Sequence, residues 1–142
     1  MTLDVRRVQV WCADIPDRPG AAAAKIQAVT RAGAELEYVF ARPNPNKPDV
    51  GVLFVAPITG DDQMQAAREV GLGPALDVFM LRIQALLRPG LGSEIMSKLA
   101  IAGINVRGIS VSTSAPRFSA YLAFDRLDDL THAVQVVATI DG

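Results

Sequence analysis

The sequence predicts an α+β protein made of two ferredoxin-like β-α-β-β-α-β units in tandem, each an antiparallel sheet with its helices on one face. Two observations support this prediction. The tripeptide Arg-Pro-Gly occurs at residues 18–20 and again at 88–90, and in both places another glycine follows thirteen residues later, at Gly33 and Gly103. Alternating and helical apolar patterns also recur in the same order. We therefore predict two repeats, residues 1–74 and 75–142.

The first repeat opens with an alternating apolar run over residues 8–13, which predicts a half-buried strand. The alanine-rich segment 21–32 predicts a helix that packs on the sheet and ends at Gly33. The remaining pattern predicts, in order, a strand over 36–40, a proline-rich hairpin loop over 42–49, a strand over 50–56, a helix from Asp61 and a fourth strand around 75–80.

The second repeat follows the same order at an offset of 70 residues. It predicts a strand over 82–87, a helix over 91–102, hairpin strands over 104–113 and 118–125, and a helix from Asp128. Only residues 139–142 are left for a last strand. We therefore expect the second sheet either to lack that strand or to borrow an edge, from residues 3–7 or from another chain.

Composition and charge indicate a compact domain with a small set of possible partners. The chain has 142 residues, of which 50% are hydrophobic, and a net charge of -1. Because no basic field is available, we expect no nucleic-acid partner. The single cysteine, Cys12, predicts no disulfide and no metal site, and we expect it to be a small buried residue on a strand. No apolar run reaches membrane-spanning length, so we expect a cytoplasmic protein without a membrane partner.

The residues of the first strand-to-helix loop, Asp17-Arg18-Pro19-Gly20, resemble the ACT domain family of small-molecule-binding regulatory modules. Gly103-Ile104-Asn105-Val106, at the start of a later strand, is similar to a second part of that pattern. The resemblance covers nearly the whole chain as a tandem pair. It implies an effector pocket, often for an amino acid, at the interface of neighbouring units. The ligand-binding residues that it implies are Asp17, Arg18, Pro19, Gly20, Ala21, Ala22, Asn105 and Val106.

Elementary chemistry supports the same loop as a cradle for a zwitterion. A helix that begins after Gly20 directs free backbone amides at the loop, which favours a carboxylate there. An ionised Asp17 can accept hydrogen bonds from an α-ammonium group, and the amide of Asn105 can serve either end of the ligand. We therefore predict an amino acid as the ligand, with no cofactor and no metal.

The second copy differs at the positions that matter. Leu87 stands at the position equivalent to Asp17, and Glu35 stands at the position equivalent to Asn105. If the copies pack around a pseudo-twofold axis, Asp17 and Asn105 share one competent site, and Leu87 and Glu35 share an altered one. We therefore expect one good site per chain. The weaker second site would involve Glu35, Arg88, Gly90 and Leu91.

The leading functional prediction is a non-catalytic regulatory protein that binds a small effector and acts through a partner, either a regulated enzyme or another regulator. We also expect a homodimer, favoured by an apolar sheet face that includes Val8, Val10, Leu53 and Val55. Three alternatives remain open at this point. They are an acylphosphatase-like hydrolase on the same fold, an RNA-recognition-like module, and a purely structural or oligomerisation module in which Arg-Pro-Gly is simply a good turn.

Overall fold

The structure, a computed structural model, describes residues 3–141 and confirms the predicted fold class. Two four-stranded antiparallel sheets each carry two helices. The elements in chain order are β1 (Asp4–Val8), β2 (Trp11–Pro16), α1 (Ala21–Arg31), β3 (Tyr38–Pro43), β4 (Val50–Ala56), α2 (Asp61–Glu69), β5 (Gly73–Pro74), β6 (Phe79–Leu86), α3 (Leu91–Ile101), β7 (Gly108–Ser114), β8 (Arg117–Phe124) and α4 (Leu127–Val137).

The described chain divides into two compact units. The first unit, Gln9–Ala75, has the strand order β3-β4-β2-β5. The second unit combines the residues up to Val8 with those from Leu76 onwards and has the strand order β1-β6-β8-β7. Strand β1 therefore lies beside β6, the position that β5 holds beside β2 in the first unit. The chain thus uses residues near its start as the edge strand, one of the two sources left open by the sequence.

This pairing places the unit boundaries differently from the predicted 1–74 and 75–142. Residues 4–8 were expected in the first repeat, but they pair with β6 over five residues. Strand β5, the equivalent edge strand of the first unit, has only two residues, and one of them, Pro74, has no backbone N–H to donate to a ladder. The strand predicted around 75–80 is therefore wrong. Strand β5 ends before it, and Phe79 already belongs to β6.

The duplicated helices confirm the repeat in detail. Helices α1 and α3 have eleven residues each and begin 70 positions apart. Each follows a glycine in the left-handed conformation, Gly20 with φ 86° and Gly90 with φ 82°. Each is followed by a second left-handed glycine, Gly33 or Gly103. Left-handed backbone is the conformation that favours glycine, so both tripeptides end in that residue for the same geometric reason.

The core of the first unit lies between its sheet and its two helices. Trp11, Ala13 and Ile15 face it from β2, and Leu53 and Val55 face it from β4. Leu53 and Val55 are fully buried there, so the expectation that they form an exposed dimerisation face is wrong. Cys12 lies on the opposite face of β2 and is half-buried rather than buried. Cys12 was expected to be buried, but β2 begins at Trp11, and the core face of this strand carries Trp11, Ala13 and Ile15 instead.

The residue preceding β1 gives a test of its structural role. Leu3 is 9% exposed and belongs to the core of the second unit. We expect Leu3→Ala to lower the free energy of unfolding by about 2 kcal/mol, since a buried leucine truncated to alanine leaves a cavity. Urea unfolding followed by circular dichroism measures the change. Arg6→Ala is the control, because this exposed side chain on β1 should change stability by less than about 0.5 kcal/mol. Equal effects of the two substitutions would contradict the assignment of Leu3 to the core of the second unit.

Candidate ligand-binding site

The first loop, Asp17–Gly20, is held by its backbone while its side chains stay in solvent. The N–H of Asp17 donates to the carbonyl of Asp49 at 2.9 Å, and the N–H of Arg18 donates to the carbonyl of Pro16 at 2.9 Å. All four loop residues are exposed. Among the described residues, the Asp17 and Arg18 side chains form no hydrogen bond or ion pair. The loop is therefore fixed in place with both charged groups available.

Gly20 turns the chain directly from the loop into α1. Its left-handed backbone makes glycine the favoured residue, whereas space is not the constraint, because a Cβ at this position would meet nothing within 4 Å. The first backbone bond of the helix runs from the N–H of Ala24 to the carbonyl of Gly20 at 3.1 Å, and no side chain caps the helix. The N–H groups of Ala22 and Ala23 consequently have no intrahelical acceptor.

A cavity of about 260 Å³ opens beside this helix start. Drug-sized ligands usually occupy about 300–1,000 Å³, so this volume suits a smaller molecule. Alanine side chains border it on the helix, and strand β3 borders it on the other side. The lining residues are Ile15, Pro16, Asp17, Arg18, Gly20, Ala22, Ala23, Ala41, Arg42, Pro43 and Gly51.

A second cavity, of about 470 Å³, borders the same loop. It is lined by residues of the loop and of α1, together with Val70 beyond α2. Lys25 lines this cavity and donates a hydrogen bond to the carbonyl oxygen of Val70. Arg18 and Gly20 line both cavities, so the first loop stands between the two spaces.

The second loop, Leu87–Gly90, has the same backbone but different side-chain contacts. The N–H of Leu91 donates to the carbonyl of Arg88 at 3.4 Å, the distance also found between Ala21 and Arg18. The guanidinium of Arg88, however, donates through Nη2 to both carboxylate oxygens of Glu94, at 3.1 and 3.3 Å. It also donates to the carbonyl oxygen of Asp141 at 2.8 Å. In the second loop the arginine is therefore already paired.

The other predicted site residues lie in the segments that join each first helix to the next strand. Asn105, in the second unit, and Glu35, in the first, are equivalent and exposed. The strands that they were expected to open begin three residues later, at Gly108 and Tyr38. Val106 is half-buried and packs against the core of the second unit. Its predicted place in a ligand site thus competes with a packing role.

An aromatic cluster on the sheet of the first unit was missed by the sequence reasoning. The rings of Tyr38 and Phe40 lie 6.5 Å apart, those of Phe40 and Phe54 lie 6.3 Å apart, and the guanidinium of Arg42 lies 5.5 Å from the centre of the Phe54 ring. Phe40 pairs directly with Phe54, on the face away from the helices. Burial raises the pKa of the Tyr38 phenol. Alternation in the two paired strands was the signal that could have revealed the cluster.

Residues 3–141 contain neither a candidate metal cluster nor a membrane-spanning helix. No group of three or more His, Cys, Asp or Glu side chains in this part of the chain could hold a metal ion. No helix in the same part is long and apolar enough to cross a membrane.

Solved structures share this architecture at low sequence identity. No protein-family profile matches the chain, and no curated protein matches it either. A protein from Bacteroides thetaiotaomicron is 11% identical with a TM-score of 0.75, over 94% of this chain and 88% of that one. The ligand-free regulatory subunit of aspartate kinase from Thermus thermophilus is 18% identical with a TM-score of 0.65, over 98% and 96%.

The third structure is E. coli aspartokinase III in complex with aspartate and ADP. It is 15% identical with a TM-score of 0.57, over 96% of this chain and 32% of that one. Identities this low establish a likeness of fold. The tandem ACT-type arrangement predicted from the sequence is confirmed at that level, and the chain has the fold of an aspartate kinase regulatory subunit.

Proposed function

We propose that the first loop binds an amino acid or a similar small zwitterion, and that the chain is a non-catalytic regulatory protein. One observation carries this proposal. Asp17 and Arg18 are exposed beside a helix start with free amides and a cavity of about 260 Å³. The carboxylate and the ammonium group of one small zwitterion are opposite in charge to Arg18 and Asp17, respectively. The corresponding arginine in the second loop is occupied by Glu94.

The chemistry assigns a role to each group of the proposed site. The ligand carboxylate would accept hydrogen bonds from the amides of Ala22 and Ala23 and from the guanidinium of Arg18. The ligand ammonium would donate to the carboxylate of Asp17. Asn105 would be a further polar ligand-binding residue, as the resemblance to the ACT family implies. Pro19, Gly20 and Ala21 would contribute backbone shape rather than charge.

The regulatory part of the proposal is supported by the comparisons. One structural neighbour is a regulatory subunit of aspartate kinase, and another is an aspartokinase in complex with aspartate. We propose by analogy that this chain acts on a partner enzyme or regulator, as a homodimer in the cytoplasm. A ligand changes such a partner only if it binds one conformation of the chain better than another. Glu35, Arg88, Gly90 and Leu91 would form at most a weaker second site.

The role of Asp17 gives the first test of the proposed site. Wild-type protein should be stabilised against heat by at least one of the twenty amino acids, because a ligand that binds only the folded state adds to its stability. Asp17→Asn should then lower the affinity for that ligand at least about tenfold, or about 1.4 kcal/mol, because it removes the charge opposite the ammonium group. Titration calorimetry measures the affinity.

Asp14→Asn is the matched control for this substitution. Asp14 is also an exposed carboxylate and lies on the strand that leads into the loop, but it pairs with Lys47 at 3.0 Å and does not line the cavity. We expect the affinity of Asp14→Asn for the amino acid to stay within about twofold of the wild-type value, because charges about a Debye length apart are largely screened. No stabilisation by any amino acid would contradict the proposed ligand class. Equal loss in both variants would contradict the role of Asp17.

Asn105 tests the polar position that the resemblance to the ACT family implies. We expect Asn105→Ala to lower the affinity for the ligand about tenfold, because the alanine side chain offers neither a donor nor an acceptor. Its melting temperature should stay close to wild type, since the side chain is exposed. Glu35→Ala, at the equivalent position, is the control and should leave the affinity of the ligand within about twofold. If Asn105→Ala binds as tightly as wild type, the site does not include Asn105.

A further inference from the structure

We infer that Glu94 closes the second loop to ligands, because its carboxylate takes the position beside Arg88 that a ligand carboxylate would need. This inference rests on the proposed function of the first loop and explains why the chain would have one site rather than two. Nothing in the sequence pattern alone assigned a role to Glu94. It lies in the first turn of α3, six residues after Arg88.

Arg88 makes contacts through Nη2 of its guanidinium that Arg18 does not make in the first loop. Nη2 lies 3.1 and 3.3 Å from the two carboxylate oxygens of Glu94 and 2.8 Å from the carbonyl oxygen of Asp141. The Arg88 and Glu94 side chains are 33% and 36% exposed, so a small ligand can reach the pair. The negative charge of Glu94 also lies in the first helical turn, where it interacts favourably with the helix dipole.

The first loop provides an internal comparison for this contact. Arg18 is equivalent to Arg88, and Ala24 is equivalent to Glu94. The backbones match, since both loops end in a left-handed glycine and both first helices begin at the next residue. Ala24 carries no acceptor, so Arg18 keeps its donors. Arg88 therefore has a carboxylate partner, Glu94, and a carbonyl partner, Asp141, where Arg18 has neither, and the carboxylate difference lies at one position of the first helix.

The carboxylate of Glu94 competes for Arg88 at a higher effective concentration than the carboxylate of a free ligand. A group tethered within a few residues of its partner acts at an effective concentration of about millimolar or more. A ligand carboxylate must therefore displace Glu94 before it binds Arg88. An exposed ion pair contributes little by itself, so the loss of ligand affinity also depends on the repulsion between the carboxylates of Glu94 and the ligand. Closure should follow the glutamate when it is placed at the equivalent position of the first loop, Ala24.

Transfer of the glutamate to the first loop is the first test. Ala24 is exposed, and a glutamate in the first turn of α1 is compatible with the helix, so Ala24→Glu should fold normally. We expect it to weaken amino-acid binding at the first loop at least tenfold in titration calorimetry. Ala24→Gln is the matched control, with the same size but no charge, and should bind within threefold of wild type. Equal affinities for the two variants would overturn the inference.

Opening the second loop is the reciprocal test. The triple variant Glu35→Asn, Leu87→Asp and Glu94→Ala gives the second copy the polar set of the first. The double variant that retains Glu94 is its matched control. With each amino acid of the panel as probe, we expect two sites per chain in the triple variant and one in the double variant. Equal site numbers in the two variants would overturn the inference.

The two tests separate this inference from the proposed function. Wild-type protein that binds no amino acid at either loop would contradict the proposed function itself. Wild-type protein with one site, together with a triple variant that also has one, would leave the proposed function intact and remove the role of Glu94. Adding Arg88→Ala to the triple variant should abolish the extra site. If the extra site persists, Arg88 does not form it.

Discussion

A left-handed glycine at each strand-to-helix turn is the constraint on which both units depend. Gly20 and Gly90 let the chain pass from an exposed loop into a helix within one residue, with φ values of 86° and 82°. This turn fixes where the helix amides point, and it also places an arginine three residues before the helix start. The two loops therefore share one backbone turn and differ in the contacts of their arginines.

That separation of backbone from side chain explains how one fold can carry two loops with different chemistry. Arg-Pro-Gly before a helix is a favourable turn in its own right, so its presence in both copies does not require that both bind a ligand. A substitution at a helix position facing the loop, such as Ala24 in one copy and Glu94 in the other, does not disturb the turn. It changes whether the arginine is satisfied internally or left in solvent. Function can thus diverge between repeats at little cost in stability.

The repeat was predictable from sequence because its signals are local. Glycines at a fixed offset located the first residues of both first helices, Ala21 and Leu91. The pairing of β1 with β6 was left open because it joins residues about 75 positions apart, and alternation does not identify a strand's partner. The Arg88–Glu94 pair was missed for a related reason. Arg88 lies in a loop, so the spacing of six does not match the i,i+3 or i,i+4 pairs of a helix.

The connectivity has a consequence for the proposed regulation. The first unit is a continuous segment inserted between β1 and the rest of the second unit. Its two ends are tied together, because the N–H of Ala75 donates to the carbonyl of Val10 at 2.8 Å and the side-chain amide of Gln9 donates to the carbonyl of Ala75 at 3.2 Å. The chain leaves and re-enters the second unit through β1 and β6, which are neighbours in one sheet. In the proposed regulation, an effect of the ligand on the first unit would reach the rest of the chain through two covalent links rather than one.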